Sequence, residues 1–171
     1  MKSWDDQILL FAATHRSDVL DSFFRAATWL GSLYALIPAA VLIAIVLLQV
    51  QKRWEAALLV IGFGAASLWA HVAKALFERP RPDLVDPLVP LPSDGSMPSA
   101  HTAQIVAFSF CMVLIIRRTL PEWHFHTIII ALVVSIVVAI SRVYLQVHFP
   151  SDVLAGALFA ILWVALIQKL L

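Results

Sequence analysis

A single cysteine, Cys111, stands in a chain of 171 residues. That excludes an internal disulfide framework and any metal site built on several thiolates. Charge is scarce too. Asp, Glu, Lys and Arg make up 13% of the residues, roughly half the share in a soluble domain. A formal net charge of +1 gives no broad attraction to acidic polymers, so nucleic-acid binding through a basic face is excluded. No glycine-rich phosphate loop of the nucleotide-binding kind is present, and no internal repeat or low-complexity tract is visible. Apolar residues, by contrast, reach 61%, with a mean hydropathy of +0.90. A chain this short has no soluble core large enough to bury that much apolar surface. A water-soluble monomer and a disordered segment are therefore excluded. The composition predicts an all-α, polytopic membrane helix bundle, a single membrane-embedded domain over 1–171.

The apolar residues gather into five runs, approximately 31–50, 54–77, 99–116, 124–145 and 151–171. Each is near the ~20 residues that a helix needs to cross a ~30 Å hydrocarbon core, and none alternates as a barrel strand would. About five transmembrane helices are expected. Residues 1–30 differ. Trp4, Ile8 and Phe11, then Val19, Phe23 and Ala27, recur at helical spacing, while Asp5, Asp6, Asp18, Asp21 and Arg25 take other faces. Two short interfacial helices, capped by Ser3 and Ser17, fit this pattern better than a sixth span. Asp5 and Asp6 also break the basic-then-apolar order of a secretory leader. The stretch 78–98 holds most of the chain's nine prolines and reads as a loop. Its Leu84, Val85, Leu88, Val89 and Leu91 suggest a lid or a contact for lipid tails.

Several of the few ionisable residues fall inside or at the ends of apolar runs: His71, Lys74, Arg81, His101, Arg142, His148 and Asp152. Singly, a Lys or Arg in such a place can snorkel to the headgroups. Parity argues for more than that. Lys74 and Arg81 close the second run, and Ser99 and His101 open the third. The fourth run returns Arg142 to the same membrane face, and His148 and Asp152 sit in the turn that follows. Three cations there suit a phosphate, and Pro98-Ser99-Ala100-His101 opens a helix whose free N–H groups also favour an anion. His148 and Asp152 are four apart. If Asp152 accepts from one imidazole nitrogen, the other is a neutral nucleophile, which leaves His101 as general acid. A metal site is the other use of two histidines and an aspartate, but three nearby cations would repel a divalent ion. Asp83, Asp86 and Asp94 read as solvated loop carboxylates, His71 as a satisfied polar residue within the bundle, and His124 and His126 as interfacial groups on the far face. Arg79 could touch substrate, while Glu78 beside it could pair with other loop charges.

At these residues the sequence resembles the type 2 phosphatidic acid phosphatase family, which shares its site with vanadium haloperoxidases and bacterial acid phosphatases. The family motifs KxxxxxxRP, PSGH and SRxxxxxHxxxD correspond here to Lys74 through Arg81-Pro82, to Pro98-Ser99-Ala100-His101, and to Ser141-Arg142 through His148 and Asp152. The resemblance covers about half the chain and departs from the motifs at Ala100, where the family usually has Gly. The family also commonly has six spans, against five plus interfacial helices here. It implies His148 as the nucleophile that forms a phosphohistidine, Asp152 as its orienting partner and His101 as the proton donor. Lys74, Arg81, Ser99, Ala100 and Arg142 would bind the transferring phosphoryl group, with no metal or other cofactor. The implied activity is hydrolysis of a lipid phosphate or diphosphate: undecaprenyl diphosphate, phosphatidylglycerol phosphate or phosphatidic acid. A phosphotransferase using a lipid or sugar hydroxyl, and a non-catalytic phosphate-binding membrane protein, are the alternatives.

Orientation follows from Lys and Arg. Lys52, Arg53, Arg117, Arg118 and Lys169 fall on one face; Lys2, Arg16, Arg25 and Arg79 fall on the other once Lys74, Arg81 and Arg142 are set aside for the site. The compact pairs Lys52-Arg53 and Arg117-Arg118 suggest a cytoplasmic first face. A multi-pass protein of the cell (inner) membrane, with its site on the extracytoplasmic face, is expected.

Overall fold

The computed structural model describes residues 3–171, whose regular elements are all helices, with no β-strand among them. Met1 and Lys2, the latter one of the cations counted above, lie outside the described residues. Two short helices come first, α1 (Trp4–Thr14) and α2 (Asp18–Ala27). Ser3 Oγ accepts from the Asp6 amide at 3.1 Å while Asp6 reaches back to the Ser3 amide at 3.0 Å, and Ser17 accepts from the Leu20 amide at 3.4 Å. Both expected caps are in place. A 3-10 turn, Thr28–Gly31, leads to α3 (Leu33–Gln49), followed by α4 (Arg53–Phe77), α5 (Ala100–Thr119), α6 (His124–Tyr144) and α7 (Pro150–Leu170).

Helices α4, α5, α6 with its leading turn, and α7 are each long and apolar enough to cross a membrane. The first run behaves differently from expectation. At 17 residues, α3 spans only about 26 Å at ~1.5 Å per residue. It qualifies as a span only together with Asp18–Gly31, across a bend of 42°. Ser32 causes the break, because its extended backbone (φ −83°, ψ 149°) cannot continue the preceding turn.

Helix α5 is the centre, packed against α3, α4, α6 and α7. Small side chains let the backbones approach: Ala66 and Ala70 on α4, Ala103 and Ala107 on α5, and Ala160 on α7 are all fully buried. Two glycines fix the start of α5. A Cβ at Gly156 would lie 2.6 Å from the Ser99 carbonyl oxygen, and one at Gly31 would lie 2.6 Å from Val138 and 3.1 Å from the His101 carbonyl oxygen. Outward faces are apolar, as Leu42, Ile45, Ile130, Val133, Leu158 and Leu162 show. That inverts a soluble surface and suits lipid. The antiparallel order brings the end of α4, the start of α5, the end of α6 and the start of α7 to one side, together with loop 78–98.

Candidate active site

The α6–α7 turn carries the central histidine. The amides of Val147 and His148 both donate to the Arg142 carbonyl oxygen, at 3.2 and 3.3 Å, which folds the chain back sharply. Gln146 takes a left-handed conformation (φ 61°) to allow this, at a cost of about 1 kcal/mol for a residue with a Cβ. Its buried amide nitrogen donates to the Leu9 carbonyl of α1 at 2.8 Å, holding the turn. Three residues into α7, Asp152 is fully buried. Its Oδ2 accepts from the Phe149 amide at 2.9 Å and faces His148 Nδ1 at 3.6 Å, while Oδ1 accepts from Arg79 Nη1 at 2.6 Å. The opposite ring nitrogen, His148 Nε2, lies 3.4 Å from Arg81 Nη1. One nitrogen therefore faces a carboxylate and the other a cation. These neighbours select the tautomer with its proton on Nδ1, leaving the Nε2 lone pair toward the cations.

The expected cations gather on that side. Lys74 is buried, with Nζ donating to the Gly95 carbonyl at 2.7 Å and paired with Asp94 at 3.1 Å. Arg81 donates to the Val147 carbonyl at 2.8 Å and to Asp94 Oδ1 at 2.5 Å. Arg142 is buried too. Its Nη1 donates to Thr28 Oγ1 at 2.6 Å, and its Nε has no partner among the described residues. The start of α5 is tied to that of α7 by the Ser99 amide, which donates to the Asp152 carbonyl at 3.0 Å. Ser99 Oγ accepts from Thr102 Oγ1 at 3.0 Å, which leaves its own hydrogen free to donate. Ala100 is the first residue of α5 in ordinary helical geometry, so replacing glycine at this position introduces no strain. The His101 ring makes no hydrogen bond among the described residues and lines a cavity of about 590 Å³ shared with Arg142, Trp29, Tyr34 and Val89. A second cavity of about 590 Å³ is lined by Lys74, Arg79, Arg81 and Asp94. His71 borders both cavities, its Nδ1 hydrogen-bonded to the Ser67 carbonyl at 2.8 Å.

Electrostatics follow from this geometry. Burial pushes the His148 imidazolium down to about 4; Asp152 opposes that shift, and Arg142, Arg81 and Lys74 add to it. Asp94 is a partly exposed loop carboxylate, as expected, but it also pairs with Lys74 and Arg81. Burial favours its protonated form, yet hydrogen bonds from Arg81 and Lys74 prevail and hold the carboxyl below its ordinary value. It bridges two of the three expected cations. Loop 78–98 is likewise fastened rather than free: Leu88 donates its amide to the Leu145 carbonyl at 3.2 Å, and Leu88 and Val89 pack on Tyr144, Leu145 and Val147. His124 and His126 lie at the other end of α6, as expected.

Four further residues belong to the site that sequence reasoning did not assign to it: Asp94, Asp5, Thr28 and Arg79, the last considered only as a substrate contact. Arg79 turns away from loop partners and pairs with Asp152 and Asp5. Among the described residues no group of three or more His, Cys, Asp or Glu side chains is arranged to hold a metal ion. What the arrangement can do is present a neutral imidazole nitrogen, backed by a carboxylate, to an anion held by three cations.

Known proteins share this architecture. The family model described as the PAP2 superfamily matches residues 54–171. Phosphatidylglycerophosphatase B of Bacillus subtilis is 35% identical over 159 residues, covering 91% of this chain and 77% of that protein. An undecaprenyl-diphosphatase of Sulfolobus acidocaldarius is 35% identical over 130 residues, covering 74% of this chain and 58% of its own length. The crystal structure of a transmembrane PAP2-type phosphatidylglycerolphosphate phosphatase from Bacillus subtilis superposes with a TM-score of 0.88 at 33% identity, covering 97% of this chain and 83% of that one.

Proposed function

The chain belongs to the PAP2 superfamily and is a membrane lipid phosphatase, and from that premise we propose that it works through a phosphohistidine at His148 without a metal. The observation that carries this reading is the ring of His148, set between Asp152 facing Nδ1 and Arg81 facing Nε2, with Lys74 and Arg142 near enough to act on its charge. A lipid phosphate enters with its phosphoryl group on the three cations, displacing the Asp94 carboxylate. Nε2 attacks phosphorus in line, and the P–O bond to the lipid breaks as His101 gives its proton to the leaving oxygen. Asp152 stabilises the positive charge that develops on the ring. Lys74, Arg81, Arg142 and the Ser99 hydroxyl hold the equatorial oxygens, where charge accumulates. His101, now neutral, takes a proton from water as that water attacks phosphorus; the P–Nε2 bond breaks, its electron pair returns to the neutral His148 ring, and inorganic phosphate leaves. Trp29, Tyr34 and Val89 in the His101 cavity offer the apolar wall for the lipid.

Candidate substrates are undecaprenyl diphosphate, phosphatidylglycerol phosphate and phosphatidic acid. The basic pairs at the far helix ends favour a site on the extracytoplasmic face of the cell membrane, and with it the first of the three. Purified protein in detergent, given each lipid in parallel with EDTA present, should release phosphate at a rate that EDTA leaves unchanged. Loss of turnover on chelation, restored by a divalent ion, would contradict the reading.

The pH dependence has a definite sign. The neutral imidazole is the nucleophile, and the folded site lowers the His148 pKa to about 4. The active form therefore persists to lower pH than for an ordinary histidine near ~6.5. The enzyme's acid limb of kcat/KM, once corrected for ionisation of the substrate, should fall well below pH 6. A limb at or above the ordinary histidine value would contradict it.

A further inference from the structure

We propose that Arg79 is a positioning residue for the nucleophile, and that Asp5 of α1 holds it in that role. The proposal rests on the phosphohistidine reading above and extends it to a helix outside the matched region.

A carboxylate can orient a histidine only if its own oxygens are fixed. Both oxygens of Asp152 are. Arg79 Nη1 holds Oδ1 at 2.6 Å and the Phe149 amide holds Oδ2 at 2.9 Å, which leaves Oδ2 facing His148. Asp152 is fully buried, and among the described residues Arg79 is the Lys or Arg side chain paired to it, so loss of Arg79 would leave its charge without that pairing. Arg79 is fixed in turn. Nη2 donates to Asp5 Oδ2 at 3.0 Å, Nη1 donates to Ser151 Oγ at 2.7 Å, and the guanidinium lies 4.2 Å over the Phe149 ring. Asp5, itself buried, also accepts from the Ser151 amide at 2.9 Å and from Ser151 Oγ at 2.5 Å. Helix α1 thus supplies a carboxylate to the N-terminus of α7, where it takes the Ser151 amide and is favoured by the helix dipole.

The charges alternate from Asp5 through Arg79 and Asp152 to the imidazole. Other charged or titratable groups around His148 are Lys74 of α4, His101 of α5, Arg142 of α6, and Arg81 and Asp94 of the loop. Among the described residues none of these is hydrogen-bonded or ion-paired to the Arg79 side chain, whose partners are Asp5, Ser151 and Asp152, so substitutions at Arg79 and Asp5 act first on the alternating chain. With Arg79 neutral, Asp152 acts on the imidazole uncompensated and favours its protonated form. With Asp5 neutral, Arg79 is uncompensated and favours the deprotonated form. The two substitutions have opposite signs, which a purely architectural role would not produce.

The test compares acid limbs of kcat/KM for the full chain in detergent, all on one lipid substrate so that substrate ionisation cancels between variants. Arg79→Gln should lower kcat and move the limb up by about one pH unit, whereas Asp5→Asn should move it down by a smaller step. Arg79→Lys should keep the wild-type limb while kcat falls, because charge is retained and the two-pronged geometry is lost. Limbs that coincide with wild type, or that move in the same direction for Arg79→Gln and Asp5→Asn, would overturn the proposal. Should Arg79→Gln not fold, Asp5→Asn decides: a limb that does not move down overturns it. Trapping phosphate on His148 of the wild-type protein separates the two levels. A labelled His148 with unshifted limbs refutes the positioning role alone; an unlabelled His148 refutes the nucleophile and the positioning role with it.

Discussion

His148→Ala should lower kcat on any lipid substrate by at least about 10⁴-fold, the scale seen when an enzyme loses its covalent nucleophile. The loss should fall on kcat and leave KM within about tenfold, since ground-state binding and chemistry use different atoms here. Lys74, Arg81 and Arg142, proposed above to hold the phosphoryl group, are anchored independently of the ring, by Gly95, Val147 and Thr28. Asp152 keeps its hydrogen bonds to Phe149 and Arg79 when the ring is gone. Steady-state kinetics on phosphatidylglycerol phosphate or undecaprenyl diphosphate checks this. Retention of even a tenth of wild-type turnover would mean that water attacks directly and that His148 has another role.

His101→Ala is expected to discriminate between leaving groups. A lipid alkoxide is a poor leaving group and needs a proton as the P–O bond breaks, so turnover of phosphatidic acid should fall about 10²- to 10⁴-fold. p-Nitrophenolate leaves without one. For p-nitrophenyl phosphate the first step should be nearly unaffected while the second, which needs His101 as base toward water, slows. The visible result is a burst of p-nitrophenol equal to the enzyme present, followed by a slow steady state. Equal losses on both substrates with no burst would show that His101 serves binding rather than proton transfer. Its ring makes no hydrogen bond among the described residues and lines a cavity with Arg142, as the proposed transfer requires.

Much of this site could be read without coordinates, for a physical reason. Lys74, Arg81, His101, Arg142, His148 and Asp152 lie at ends of long apolar runs, and counting crossings puts those ends on one face. Lipid leaves helices little freedom to do otherwise. The first span was less legible. Its apolar run begins at Gly31-Ser32, and a run of hydropathy does not reveal that Ser32 breaks the helix and leaves α3 short. The pairing of Asp94 is not legible in the sequence because nothing local distinguishes it from Asp83 or Asp86; only the folded loop sets it between Lys74 and Arg81. Asp5 and Thr28 were missed for a related reason. Their partners Arg79, Ser151 and Arg142 are far along the chain, and an amphipathic pattern assigns such polar residues to the water face. In this fold that face of α1 turns inward to the α6–α7 turn.

Rapid quenching of the wild-type enzyme with lipid substrate carrying a radiolabelled terminal phosphate addresses the central claim most directly. The protein should retain label that is stable to alkali and lost in acid, the behaviour of a phosphoramidate, and fragmentation should place it on the peptide containing His148. His148→Ala should retain none, while His101→Ala should accumulate more than wild type when the leaving group is good. Turnover with no labelled protein, or with label on a residue other than His148, would contradict the phosphohistidine mechanism.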